Sequence, residues 1–428
     1  MKEIRFGPYP VLINNKERMK YYLTFFFACM LFCAGAQVRT LESYVDQAST
    51  NSPLIRGYQN QILSLALDSQ ILRATLRTQV NFLSNEYYAP TVKGFGYDPA
   101  LSNIAQISAL VQATRNLVFR NNAAAQYRNI ALQSQALRDT MQLSIRDLRR
   151  SITDQYITAY GDLLTMNYSK ELFDVLKEEE VALRKLAQSS VIKQTDYLSF
   201  AVTMQQQELT YLQAQIQYNA DFLTLNYMAG IADTTIVPLQ EPQLEGSIPK
   251  DLYSSVFYHR FVTDSMRIEN QRRLIYYSYR PVIGTTVDGG YNSSLQFDYY
   301  RNFGFSLGVS LKVPIYDGHQ KRLRYQQLDI EERTRLLNKN FFINQYNQQV
   351  AQLFKQLNET DRLYEKIRQQ VEYSKALIAS YGKLMATGDI RITDLVTAIT
   401  NYLNAQNVFR QNTVSRLRVL NQIRYWNY

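Results

Sequence analysis

The chain has 428 residues, a formal charge of +10, 33 Tyr against 1 Trp, and only 2 Cys. Its length admits two or three ordinary domains. Its mean hydropathy is negative, and nothing after residue 36 approaches the ~18 consecutive apolar residues of a spanning helix, so any membrane crossing must be made by strands. The basic residues are interleaved with Glu, Asp and Gln along helical stretches, as on solvated helix faces rather than a nucleic-acid patch.

Tyr21 to Ala36 is a short apolar run behind Lys20 that ends in Ala34-Gly35-Ala36. It reads as a secretory signal peptide cleaved before Gln37, with Met19 as the natural start and residues 1–18 as an upstream extension. Cys29 and Cys33 both fall inside it, and neither follows the small residues of a lipoprotein signal. The mature chain is then free of disulfides, thiol chemistry and cysteine metal sites.

Thr40-Leu41-Glu42-Ser43 opens a helix that Asn51-Ser52-Pro53 punctuates and that runs to about Thr78. A poorly alternating strand follows over 79–88, then a loop rich in Pro and Gly, then a second strand over 103–118 in which Leu110 breaks the alternation. A long helix is expected over 122–188. Its apolar seam, Met141, Ile145, Leu148, Ile152, Tyr156, Ala159, Leu163 and Met166, keeps three-four spacing. A break at Ser189-Ser190 leads to a helix over 195–228, and residues 230–250, with Pro238, Pro242, Gly246 and Pro249, read as a linker.

The same programme then recurs: a helix over 252–279, strands over 281–289 and 303–316 with a loop from Gly289 to Asp298 between them, and helices over 320–386 and 393–426. The seam of the second long helix is Tyr346, Val350, Leu353, Leu357, Thr360, Tyr364, Ile367 and Val371. Lys185-Leu186 and Ile192 to Tyr197 lie over Lys383-Leu384 and Ile390 to Leu395 at an offset of 198, so residues 37–229 and 251–428 read as tandem repeats. The last strand is the most regular stretch. Phe303, Phe305, Leu307, Val309, Leu311, Val313 and Ile315 alternate with Gly304, Ser306, Gly308, Ser310, Lys312 and Pro314, which gives one apolar and one small or polar face.

Each long helix spans roughly 100 Å at 1.5 Å per residue, and each half becomes a coiled-coil hairpin with a tip at one end and a strand pair at the other. Four strands enclose no channel, and open edges are not tolerated in lipid. Strands in a membrane therefore require several chains, and three would supply twelve strands. The fold class expected is an α+β membrane protein: two repeats per chain, a trimeric 12-stranded barrel, and an α-helical tunnel below it. A soluble periplasmic coiled-coil protein with a small sandwich head is the alternative. The two histidines, His259 and His319, stand apart, and neither phosphate loops nor metal spacings occur, so neither an enzyme nor a cofactor is implied.

Three motifs then resemble the TolC-like outer membrane efflux proteins: Thr40-Leu41-Glu42 with Asn51-Ser52-Pro53, Val309 to Gly318 at the last strand-to-helix junction, and Gly388 to Leu395 at the second tip. The resemblance implies a homotrimer in the outer membrane that docks with a periplasmic adaptor and an inner-membrane pump. It implies an exit duct for efflux or type I secretion. It also matches Asp394, and Asp196 in the first repeat, to acids that narrow the tunnel. The next ring position falls on Thr397, and the arginine expected to pair falls on Ile390, with Arg391 one place late. An acid at a helix start serves equally well as a cap. Candidate adaptor-docking tips are Gln188, Ser189, Ser190 and Val191 through to Gln194, and Ala386, Thr387, Gly388, Asp389 and Ile390 through to Ile392.

Overall fold

A computed structural model of the protein describes residues 40–90, 92–98, 105–247, 251–294, 298–387 and 390–427. The signal segment, the tip residues Gly388 and Asp389, and the expected start of the second strand at 103–104 lie outside them, as do the side chains of residues 385–387.

The first motif builds its surroundings by capping. Thr40 accepts from the Ser43 N–H at 3.4 Å and opens α1 (Leu41–Asn51). Ser52 accepts from the Ile55 N–H at 3.4 Å and opens α2 (Pro53–Thr75), with Pro53 in the first turn, where no N–H partner is needed. The expected single helix over 40–78 is thus two, because Ser52 has extended backbone. Asn51 reaches across the chain instead: its amide donates to the Ala229 and Gly230 carbonyls, each at 3.2 Å. Those carbonyls end α4 (Gln194–Ala229), and Gly230 turns the chain out at a φ of 67°.

Between them come β1 (Gln79–Tyr88), β2 (Ala105–Leu117) and α3 (Arg120–Gln188). The second half holds a 3-10 turn (Leu252–Ser254), α5 (Val256–Ser278), β3 (Val282–Ser293), β4 (Phe303–Lys312), α6 (Gln320–Thr387) and α7 (Ile392–Asn427). Corresponding helices have nearly equal lengths: 23 and 23 residues for α2 and α5, 69 and 68 for α3 and α6, 36 and 36 for α4 and α7.

Three boundaries differ from the sequence reading. The helix expected from 252 starts properly only at Val256, where Ser255 accepts from the Tyr258 N–H at 3.3 Å. β3 runs on to Ser293 through the pair read as a loop, Gly289-Gly290. Gly290 has a φ of 152°, and a Cβ there would collide with the Ala109 carbonyl oxygen on β2, so this glycine permits close strand approach rather than a turn. β4 stops at Lys312 rather than 316. Pro314 has no N–H for a ladder, and Asp317 then accepts from the Lys321 N–H at 2.7 Å to cap α6.

The four strands form one antiparallel sheet in the order β1-β2-β3-β4. α3 packs against α2 and α5 near the sheet and against α4 and α7 farther away, while α6 packs against α5 and α7. The α3 seam forms a core with α1 and α4, in which Ile152, Tyr156, Ala159, Tyr44 and Phe222 are fully buried. A fully buried side chain the size of Ile152 or Phe222 contributes about 1.5–3 kcal/mol. Residues 230–247 are irregular but packed. Leu239 joins that core, and the Tyr156 and Tyr218 hydroxyls donate to the Gln240 and Val237 carbonyls at 2.8 and 2.5 Å. Residues 230–247 of the stretch read as a linker are thus a strap against the helices. Gly161 marks the crossing of α3 and α7, where a Cβ would stand 2.6 Å from Val414 Cγ2.

Candidate functional site

The register of the sheet sorts its side chains into two surfaces. Directly paired residues of an antiparallel sheet point to the same side. Leu307 is opposite Val287, Val287 opposite Ala113, and Ala113 opposite Val80. Phe305, Gly289, Val111 and Phe82 form the next such row, and Leu311, Ile283 and Leu117 close the end nearest the helices. The opposite surface carries Ser306, Asp288, Gln112 and Asn81 in one row and Ser310, Gly284 and Asn116 in another. Asp288 there accepts from the Ser306 hydroxyl at 2.8 Å. Leu110, the break in alternation on β2, belongs to the polar surface and sits between Leu83 and Gly290 as a small apolar spot.

Both surfaces are open in the single chain. All ten residues of β4 are exposed, with Phe303, Phe305, Leu307, Val309 and Leu311 between 66% and 81% accessible; Val313, beyond the strand end, is exposed as well. β1 and β4 are free edges. The helices also leave seams uncovered. On α4, Val202, Leu209, Leu212, Ile216 and Leu223 are exposed at heptad-like spacing, and on α6 so are Leu323, Ile330 and Leu337.

At the far end the structure brings the two hairpin tips together. Ile192 of the first and Ile390 and Ile392 of the second pack into one apolar cluster with Leu183, Phe200, Leu395 and Ile399. The first tip is a left-handed C-cap: Ser190 has a φ of 56°, the Val191 N–H donates to the Leu186 carbonyl at 2.9 Å, and Ser189 to Lys185 at 3.0 Å. Gln188, Ser189, Ser190 and Val191 are all exposed. At the second tip Thr387 ends α6, and Gly388 and Asp389 lie outside the described residues.

Asp196 and Asp394 occupy the first turns of α4 and α7, and both are exposed. The N-cap of α4 is Lys193, with no side-chain cap bond, so Asp196 acts there only as an acid in the first turn, the position Asp394 holds in α7. Arg391 and Thr397 are exposed as well, and the Thr397 hydroxyl donates to the Thr393 carbonyl at 2.8 Å. What holds the first tip is a group that the motifs do not mark. Glu180, 6% accessible, accepts from the Tyr197 hydroxyl at 2.6 Å and from Arg184 at 2.7 and 3.0 Å. The Tyr197 hydrogen bond first, and then Arg184, hold its carboxyl below the usual range.

A second unmarked group joins the helices midway. Asp221 of α4 accepts from Gln155 at 3.1 Å and Gln217 at 2.5 Å. Burial, and then the neighbouring Asp221, push Asp162 of α3 up to about 7, with Arg410 of α7 opposing. Burial would raise Asp221 too, yet hydrogen bonds from Asp162, Gln217 and Gln155 hold it low. Asp162 is therefore the more readily protonated of the two. Among the described residues no helix is long and apolar enough to cross a membrane, and no cluster of His, Cys, Asp and Glu could hold a metal ion.

No family model matches the chain, and no curated protein matches it in sequence. Solved structures match in fold. A membrane protein from Pseudomonas aeruginosa aligns with a TM-score of 0.73 at 15% identity, over 90% of this chain and 90% of that one. CusC, studied for folding and transmembrane channel formation, gives 0.72 at 10% identity over 91% and 92%. The CmeC outer membrane channel of Campylobacter jejuni gives 0.71 at 11% identity over 90% and 85%. The chain has the fold of these membrane proteins.

Proposed function

We propose that the protein is a TolC-like outer membrane channel, the exit duct of a tripartite efflux or type I secretion system. The observation that carries this reading is the two-faced sheet. An apolar surface across four strands suits lipid, and a Ser, Thr, Asn, Gln and Asp surface suits a wet lumen. A sandwich head would cover one of these faces, and both are bare. The free edges of β1 and β4 must pair in lipid, and three copies close twelve strands. The uncovered seams on α4 and α6 support the same assembly, since each presents an apolar stripe that the single chain leaves without a partner. The matched helix lengths support a tandem duplication.

In this reading Phe303, Phe305, Leu307, Val309 and Leu311 face lipid, with Val313 at the rim. The helices descend into the periplasm as a tunnel. Asp394 and Asp196 ring its narrow end, three copies of each, and set cation preference. The exposed tip residues Gln188 to Val191 and the Thr387–Ile390 segment receive the periplasmic adaptor, through which an inner-membrane pump delivers its cargo for passive exit. Cross-linking cells and identifying what co-purifies tests the partnership: recovery of an adaptor and an inner-membrane pump supports it, and recovery of the chain with neither refutes it.

A further inference from the structure

The strand ends nearest the helices carry a charge imbalance that neither the channel wall nor the tips require. Residues 72–79, 115–128, 270–282 and 312–325, which flank those ends, contain twelve Lys or Arg and one acid, Asp317. The opposite rim, residues 86–104 and 291–303, contains two basic residues and three acids. Net positive charge on this chain is therefore concentrated in one band, directly beside the edge of the apolar sheet surface.

Geometry shows how the band is built. Arg115 pairs with Thr285 and so lies on the apolar surface, between Ala113 and Leu117, one row from the end. A cation there reaches polar surroundings only by extending its stem along the surface toward the helices. Beside it, the Arg280 guanidinium stands 4.7 Å from the Tyr276 ring centre and the Lys321 ammonium 5.2 Å from that of Tyr279. The single acid is used internally, since Asp317 accepts from the Tyr279 hydroxyl and from the Lys321 N–H. Farther from the sheet, Arg272 and Arg273 have their own carboxylates in Asp329 and Glu269. Lys312 belongs to the polar surface, opposite Val282.

We propose that this band is a collar that binds the phosphate headgroups of anionic phospholipid in the leaflet facing the helices, with Arg115, Arg280 and Lys321 as its contacts. The collar rests on the channel reading, which places a lipid leaflet against that edge. Cations near an anionic surface each contribute about a fivefold preference, and tyrosine rings at this level suit the interface. The collar fixes the depth and direction of the barrel: helices on the side of the basic rim, loops on the other.

The test uses the full-length assembled protein in mixed micelles of equal phosphatidylglycerol and phosphatidylcholine, with bound lipids counted by native mass spectrometry. Conductance in neutral planar bilayers is recorded in parallel. The wild type should retain phosphatidylglycerol over phosphatidylcholine. The triple variant R115Q/R280Q/K321Q should lose at least about fivefold of that preference while still conducting, and K312Q should keep it. Inorganic phosphate at equal phosphate concentration should displace none of the bound lipid. A conducting wild type without phosphatidylglycerol preference overturns the collar alone, as does a triple variant that keeps the preference or displacement by free phosphate. A wild type that conducts in no bilayer overturns the channel reading and the collar with it.

Discussion

Replacing Leu307 by Arg and, separately, Ser306 by Arg puts the same cation one residue apart on opposite surfaces of β4. Leu307 is four residues from Phe303 and five from Lys312, the strand ends. At about 3.4 Å per residue and a tilt near 40°, it stands roughly 10 Å from one rim and 13 Å from the other. That is close to the middle of an apolar band about 25 Å tall, where a cation on the lipid side costs about 2–4 kcal/mol. Ser306 shares its surface with Asp288, to which it already donates at 2.8 Å, and an Arg there gains a carboxylate partner at a wet wall, so its cost stays below about 1 kcal/mol. Urea unfolding of the protein in lipid vesicles, followed by tryptophan and tyrosine fluorescence, measures both. The account predicts a loss for Leu307→Arg that exceeds that for Ser306→Arg by at least about 1 kcal/mol. Equal losses, or the reverse order, refute the assignment of faces.

Three further outcomes are expected. Asp394→Asn should lower the cation-to-anion permeability ratio of single channels, and an unchanged ratio removes Asp394 from the selectivity ring. Asp162, raised from 3.8 to about 7, favours the folded state most when protonated, so its contribution is full below about pH 4 and is lost as pH rises through about 7. The full displacement corresponds to about 4 kcal/mol, which solvent screening at this half-buried position reduces to about 2 kcal/mol; Asp162→Asn should remove that slope from stability measured between about pH 4 and 7, and a slope retained in full contradicts the raised Asp162 carboxyl. Tyr197→Phe removes a hydrogen bond to the Glu180 carboxylate and should loosen the first tip by about 1.5–3 kcal/mol, read as faster amide exchange around 180–200, with unchanged exchange arguing against the clamp.

How much of this was legible in the chain follows from the range of each interaction. Period-two alternation marked β4 because Phe303 to Leu311 keep one surface apolar without interruption, and three-four spacing marked the seam from Ile152 to Leu163, which is buried in the core. Gly289-Gly290 misled because a glycine pair signals a turn locally, whereas its role is to admit the Ala109 carbonyl from a strand about 180 residues away. β1 looked irregular for a related reason: Ser84 and Glu86 share the surface of Val80 and Phe82, and only the register with β2 reveals it. Among the candidate site residues, the positions of Asp196 and Asp394 at helix starts could be read, since Thr and Asp there are local signals. The Glu180–Arg184–Tyr197 clamp spans a turn, and the Asp162–Asp221 pair joins two helices, so neither leaves a motif.

The most direct test of the central claim is the state of the protein in its own cell envelope. The account predicts that it fractionates with the outer membrane, migrates unheated as a trimer that heat converts to monomer, and opens pores when the trimer is added to a planar bilayer. A monomer recovered from the soluble periplasm that opens no pores would contradict it.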